Sequence, residues 1–263
     1  MTIASRNKVL LYCDYGSGDV DPLYEMLEDH LAPKGVGVEW VDASGIIKEN
    51  ALNDDVLAFF LGGGRSTPYR EKLRHQGDDK IREYVNKGGI YFGVCAGAYY
   101  SCKRTEFESD IPNSCIETNE VLGLLDATAK GTLYKEYGIK PYELSANSAV
   151  VSKIKWLSDN EEHAAYYHGG CYFNPNENGN VEVLAVYDDI GEQKPAIVKG
   201  KYGDGLVIAS GVHFETLGDE LAKVVCSYQT DEAAARRNAK ILIDKESQRK
   251  ALEKKLLDML KVR

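Results

Sequence analysis

A cysteine set between two glycines, Gly93-Val94-Cys95-Ala96-Gly97, is the stretch of this chain with the clearest capacity for chemistry. The apolar Ile90-Tyr91-Phe92 before it reads as a buried strand, and Ala98, Tyr99 and Tyr100 after it read as the start of a helix. A strand that turns sharply into a helix, with glycines around one residue, is a nucleophile elbow. Backbones crowd there too closely for Cβ atoms, and the central side chain is thrust out above the sheet. A helix N-terminus beneath the sulfur favours the thiolate, the form that attacks a carbonyl carbon. The competing reading of Cys95 is an inert buried thiol among small residues.

A thiol nucleophile needs a base to take and return its proton, and the base needs an orienting carboxylate. His213 and Glu215 follow a strand end and sit two apart, so an extended backbone turns both side chains to one side. His168, beside Gly169-Gly170 and amid Tyr166, Tyr167 and Tyr172, is a rival base. An attacked amide also develops an oxyanion, best held by preorganised backbone N–H groups. Ala96, just past the cysteine, supplies one, and Gly63 or Gly64 of the Gly62-Gly63-Gly64 loop supplies another. The same glycines are equally a plain tight turn. Neither a following Gly-Lys-Ser/Thr nor a G-x-G-x-x-G points to phosphate binding. Arg65, Tyr69, Tyr99, Tyr167 and His168 are candidates to line a substrate pocket, with Arg65 suited to a carboxylate or other anion, or else a solvated loop charge.

The elements that must position these residues alternate. Residues 8–13, 36–41 and 56–61 read as strands, and 56–61 (V-L-A-F-F-L) is apolar throughout, as a strand covered on both faces is. Residues 20–31 carry Leu23, Met26, Leu27 and Leu31 at helical spacing, 42–53 are a polar connection with one helical turn, and 69–87 hold one or two helices. This predicts a doubly wound, mostly parallel sheet with helices on both faces, a flavodoxin-like α/β fold, with ligands at the carboxyl ends of the strands. Both the glycine loop and Cys95 lie at such ends. Residues 106–148 read as a loop-rich insertion or lid, with a helix-like piece at 121–125. Strands at 150–156 and 181–187, an aromatic run with a glycine kink at 164–173, and a hairpin of 196–199 and 206–210 around Tyr202-Gly203-Asp204-Gly205 shift the second half to antiparallel pairing. A helix at 217–228 and a charged helical tail at 231–263 close the chain. Leu242, Ile243, Leu252, Leu256, Leu257 and Leu260 form an apolar stripe on that tail, for the core or for a protein partner. The expected organisation is one domain over 1–230 and a helical extension over 231–263, packed on or beside it.

A formal net charge of −9 argues against nonspecific nucleic-acid binding and against an anionic membrane surface. The six cysteines (Cys13, Cys95, Cys102, Cys115, Cys171, Cys226) form neither C-x-x-C pairs nor zinc-ligand spacings, so no metal or cofactor is expected. They read as reduced intracellular thiols. With no signal-peptide pattern and no span of transmembrane length, a cytoplasmic protein is expected.

The order of these features is more specific than any one of them: a glycine loop, G-x-C-x-G after the next strand, a D-G hairpin, then H-x-E. From about residue 8 to 228 the chain resembles the class I glutamine amidotransferase-like superfamily. Within it, L-G-G-G-R-S-T-P-Y (61–69), G-V-C-A-G-A-Y-Y (93–100), Y-Y-H-G-G-C-Y-F (166–173) and G-V-H-F-E-T (211–216) resemble the biotin–protein-ligase N-terminal-domain-like group. The resemblance implies Cys95 as nucleophile, His213 as base and Glu215 as its orienting carboxylate, with Phe214 where the superfamily usually has proline. No Gly-Arg-Gly-Arg-like biotinyl-adenylate loop is present, so biotin ligation itself is not expected. Three functions are therefore expected to compete. The first is a Cys-His-Glu hydrolase or amidotransferase acting on an amide or related acyl compound. The second is a ligand-binding or regulatory module that keeps the pocket. The third is a glyoxalase- or chaperone-like protein in which Asp14 or Asp19 partners the cysteine.

Overall fold

The computed structural model describes residues 6–119, 121–177, 179–227 and 232–262. The side chain of Cys226 and positions 228, 231 and 263 of the predicted helices lie outside the described residues. β1 (Lys8–Tyr12), α1 (Asp21–Leu31), β2 (Gly37–Val41), α2 (Ala43–Lys48), β3 (Val56–Leu61), α3 (Ser66–Asn86), β4 (Ile90–Val94) and α4 (Ala96–Ser101) follow the predicted alternation. β5 (Cys102–Phe107), β6 (Ile116–Thr118), β7 (Leu125–Gly131), α5 (Tyr134–Tyr137), β8 (Ala149–Trp156), β9 (Glu162–His168) and β10 (Tyr172–Pro175) come next. β11 (Val181–Tyr187), β12 (Lys194–Tyr202), β13 (Gly205–Ser210), α6 (Gly218–Ser227), α7 (Glu232–Asp244) and α8 (Glu246–Leu257) complete the chain.

The main sheet has nine strands in the order β2-β1-β3-β4-β13-β12-β11-β8-β9. It is parallel from β2 to β13 and antiparallel from β13 to β9. The mixed α/β class is thus the one expected, with the parallel half carrying the site. Side chains alternate across it and fill a core on each face. Phe60, Phe92, Leu23, Leu27, Leu252 and Leu256 share one, and Phe59, Leu61, Tyr91, Leu73, Ile81 and Tyr100 share the other.

Two expectations are corrected. Residues 106–148 are not merely loop: with β5 and β10 they build a second, four-stranded sheet in the order β10-β7-β5-β6. Its buried face on β7 is Leu125, Ala127 and Ala129, small residues that leave a faint alternation in the sequence. Residues 121–125 are not helical. Gly123 turns at φ +65°, and the N–H groups of Leu122, Gly123 and Leu124 bond back to Tyr100, Cys102 and Ser101, so the leucines bury a turn. Residues 69–87, expected to hold one or two helices, lie in α3, which begins at Ser66 and is broken at Arg74 (φ 52°) into two helices across a kink. The C-terminal stripe is spent on the core: Leu242, Leu252, Leu256, Leu257 and Leu260 are buried, and Ile243 is the exposed member.

Candidate active site

β4 and β13 lie side by side and parallel, with Val94 opposite Ser210, so the elbow and the H-x-E segment leave the sheet as neighbours. Cys95 takes φ 49° and ψ −105°, a conformation a non-glycine residue rarely holds unless its surroundings impose it. Here the tie is its N–H bond to the Ser210 carbonyl at 2.9 Å. The flanking glycines are needed for close approach. A Cβ on Gly97 would lie 1.9 Å from the Leu61 carbonyl oxygen, and one on Gly93 would lie 2.5 Å from the Gly97 carbonyl oxygen. α4 has six residues, so its dipole is weak support for a thiolate.

The stronger support is His213. Its Nδ1 lies 2.7 Å from Glu215 Oε1. With Glu215 accepting from Nδ1–H, the proton sits there and Nε2 is left without a hydrogen-bond partner among the described residues, in a ring close enough to Cys95 to feel its charge. Burial opposes a charge on the ring, but Glu215 and Cys95 together outweigh it and hold the His213 pKa well above its ordinary value. The strand-like alternation places Phe214 on the opposite side, fully buried, with its ring 5.6 Å from that of Phe92. An antiparallel bridge to Tyr166 fixes His213 from β9.

Gly63 lies against the Cε1 edge of the His213 ring, where a Cβ would come 2.7 Å from Cε1. The Gly62 carbonyl accepts from Gly97 N–H (3.2 Å) and the Gly63 carbonyl from Gly18 N–H (2.9 Å). The Tyr69 hydroxyl donates to both, at 3.3 and 2.7 Å. Across trans peptides the N–H groups of Gly63 and Gly64 therefore point away from these partners. Among the described residues no acceptor takes them, nor the N–H of Ala96. All three expected oxyanion donors are thus unengaged.

The predicted pocket residues divide. Tyr69, Tyr99 and Tyr167 are buried, with their hydroxyls on backbone groups, so they brace the site from behind. Tyr99 donates to the Gly170 carbonyl (3.0 Å) and also lies 3.3 Å from that of Gly169. Tyr167 donates to Gly170 (3.0 Å) and accepts from Leu133 N–H (2.6 Å). His168 contributes its carbonyl, 3.7 Å from the Cys95 sulfur that donates to it. Its ring turns away to the Glu143 carbonyl and the Ser148 hydroxyl, and burial lowers its pKa, so it is not placed as the base. Arg65 is exposed, 5.9 Å over the Tyr15 ring. Asp14 is held by Tyr15 N–H, Ala43 N–H and Lys72, and Asp19 by Asp21 N–H, which leaves the cysteine–aspartate arrangement without support.

Two residues escaped the sequence reading. The Tyr142 ring lies 5.1 Å from that of His168. Burial, with smaller contributions from Cys95 and Glu108, raises its phenol pKa against the pull of Arg65. Glu108 is 1% exposed and accepts from Tyr142 N–H at 2.6 Å and from the Thr132 hydroxyl at 3.1 Å. The only signal for either was an aromatic after Pro141 in a polar stretch. Among the described residues no group of histidine, cysteine and carboxylate side chains could hold a metal ion. Nor is any helix long and apolar enough to cross a membrane.

Comparison with known proteins adds four findings. The family model described as biotin-protein ligase, N terminal, matches residues 7–263. An uncharacterized protein of Chlamydia muridarum is 29% identical, covering 96% of each chain. A biotin–protein ligase of Schizosaccharomyces pombe is 25% identical over 79% of this chain, which spans about a third of that ligase (33%). Among solved structures, a glutamine amidotransferase from Thermotoga maritima superposes with a TM-score of 0.59, covering 97% of this chain and 98% of that one at 15% identity, a likeness of fold.

Proposed function

Because the chain belongs to the biotin-protein ligase N-terminal family, on an amidotransferase-like fold, we propose that it is a Cys-His-Glu amidase or amidotransferase acting on a small amide through a thioester. The observation that carries this is the His213 ring bonded to Glu215 at 2.7 Å, on a segment that leaves the sheet directly beside the Cys95 elbow. His213 Nε2 first takes the thiol proton, becoming the imidazolium that its raised pKa favours, and Cys95 Sγ then attacks the amide carbonyl carbon. The oxyanion is received by the N–H groups of Ala96 and Gly63 or Gly64. The imidazolium gives its proton to the leaving nitrogen, the C–N bond breaks, and ammonia or an amine departs from the thioester. His213 then deprotonates water, which attacks the thioester. The C–S bond breaks, a carboxylic acid leaves, and the proton returns to sulfur. Glu215 holds the ring through Nδ1. These steps call for no metal or cofactor. The five described cysteines are all free, which supports a reducing, cytoplasmic setting.

Ammonia release from glutamine and simple amides, in wild type and Cys95→Ala, tests the reading. Turnover that vanishes in the variant is expected, and turnover that survives it would exclude Cys95 as nucleophile. The second reading, a ligand-binding module, draws support from the sulfur itself: Cys95 is 7% exposed and bonded to the His168 carbonyl, so a substrate must displace that contact. Failure of a glutamine-like electrophile to label Cys95 in folded protein favours this second reading.

A further inference from the structure

We infer that Arg249, on the C-terminal helix α8, is a positioning residue for the His213–Glu215 pair, and that α8 is therefore part of the site. Arg249 is 1% exposed and heads the largest fully buried side chains. A buried guanidinium is costly unless its charge and its donors are satisfied. Its own helix answers the charge. Glu246 takes Nε and Nη2 as a fork at 2.8 and 2.9 Å, and Glu253 takes Nη1 at 2.8 Å. The hydrogen bond that leaves the helix runs from Nη1 to the carbonyl of Phe214, at 2.7 Å. That carbonyl belongs to the residue between His213 and Glu215.

The peptide it anchors sets where Glu215 leaves the backbone. Among the described residues Glu215 has one side-chain partner, His213, through Oε1, while its other oxygen, Oε2, is buried without one. The carboxylate is therefore placed by its backbone more than by its contacts. On the His213 side the backbone is held by β9, through Tyr166 N–H to the His213 carbonyl (3.2 Å) and His213 N–H to the Tyr166 carbonyl (2.8 Å). On the Glu215 side the holder is Arg249. α8 is in turn fixed to β9 and the core by Leu252, Leu256 and Leu257, by His163 Nδ1 at 3.2 Å from the Gln248 carbonyl, and by Lys255 to Asp159 and Glu161. Strand β9 and helix α8 thus form one clamp around H-x-E. A guanidinium suits this place because its planar fork serves three acceptors at once, which a lysine ammonium cannot do in the same geometry.

The inference rests on the proposed reading of Cys95, His213 and Glu215 as reacting groups, and its test is chosen to be separable from that reading. The readout is the imidazole nitrogen and Nδ1 proton resonances of His213, which report its bond to Glu215 whether or not an amide is turned over. Melting curves accompany it to show that each variant folds. Arg249→Met is expected to lose the downfield Nδ1 proton and to lower kcat at least about tenfold with KM little changed, the pattern of a displaced reacting group. Arg249→Lys is expected to fall between it and wild type. A folded Arg249→Met, or a folded Arg249→Lys if the first does not fold, with His213 resonances and their pH titration unmoved, overturns the inference. Wild type without turnover, but with a resonance that responds to Arg249, overturns the amidase reading and leaves the positioning role standing.

Discussion

Replacing Gly63 by alanine should disable the site while sparing the fold. The backbone at Gly63 lies outside the left-handed region, so an alanine is conformationally free to sit there. Its Cβ, however, would come 2.7 Å from His213 Cε1, where ordinary contact begins at 3.4 Å. Something must retreat by about 0.7 Å, the difference of these two distances. The loop is held by the Gly18 and Gly97 N–H groups and by the Tyr69 hydroxyl, all three on the carbonyls of Gly62 and Gly63. Among the described residues the ring's hydrogen-bond partner is Glu215, a single contact, so the ring moves. A shift of that size carries Nδ1 off its line to Glu215, bending and weakening the 2.7 Å bond, and moves Nε2 relative to the sulfur. A misplacement approaching 1 Å costs roughly a hundredfold in rate, or about 2.7 kcal/mol of transition-state stabilisation. Amide turnover and the rate of Cys95 alkylation, each measured beside a thermal melt, check this. A variant that melts like wild type and keeps full turnover would refute the reasoning, because it would mean the ring's place does not matter.

Two further outcomes follow from the same contacts. In Glu215→Gln the His213 pKa falls back toward its ordinary value. Because the folded pKa is raised in wild type, the pair's stabilisation is complete below the unfolded value of about 6.5 and is lost as pH rises through the folded one. The gap in urea midpoint between wild type and variant should therefore be widest in mildly acidic buffer and close at alkaline pH, and a gap that ignores pH contradicts the pairing. His163 and His168, whose pKa values burial lowers, cancel in that difference. Tyr167→Phe should cost about 1–3 kcal/mol in urea unfolding, because it strands the buried Leu133 N–H. Tyr99→Phe should cost less, since it removes a donor from carbonyls and leaves no N–H stranded; equal losses would show that the Leu133 bond carries nothing.

Reading the sequence worked where one chemical demand forced one residue type. β3 is apolar at every position because both its faces are covered, and the glycines around Cys95 are glycines because carbonyl oxygens stand where their Cβ atoms would be. His213 and Glu215 were legible because a spacing of two in extended chain has one geometric meaning. The second sheet was not legible, since β7 buries alanines and leaves threonine and lysine outside, which looks like a polar loop. The tyrosines were recognised as near the site but misjudged in role. Nothing in a sequence says whether a hydroxyl faces a cavity or a carbonyl, and here all three face backbone. Arg249 was hidden for a related reason: a charged residue flanked by Glu246 and Glu253 at helical spacing has the pattern of a solvated face.

The place of β13 also bears on how the molecule comes into being. It is the last strand of the chain yet pairs between β4 and β12, near the middle of the large sheet. While the chain is being made, β2, β1, β3 and β4 can associate as soon as they emerge, but β4 then presents an open parallel edge until residues 205–210 arrive to fill it. Such an edge invites pairing with other chains, and the non-local closure that removes it is a slow kind of step. The same delay has a protective side. The thiol of Cys95 emerges long before its imidazole, and the two meet only when the strand that shields the edge is in place. The juxtaposition of Cys95 with His213 and the protection of the sheet edge thus depend on the same strand.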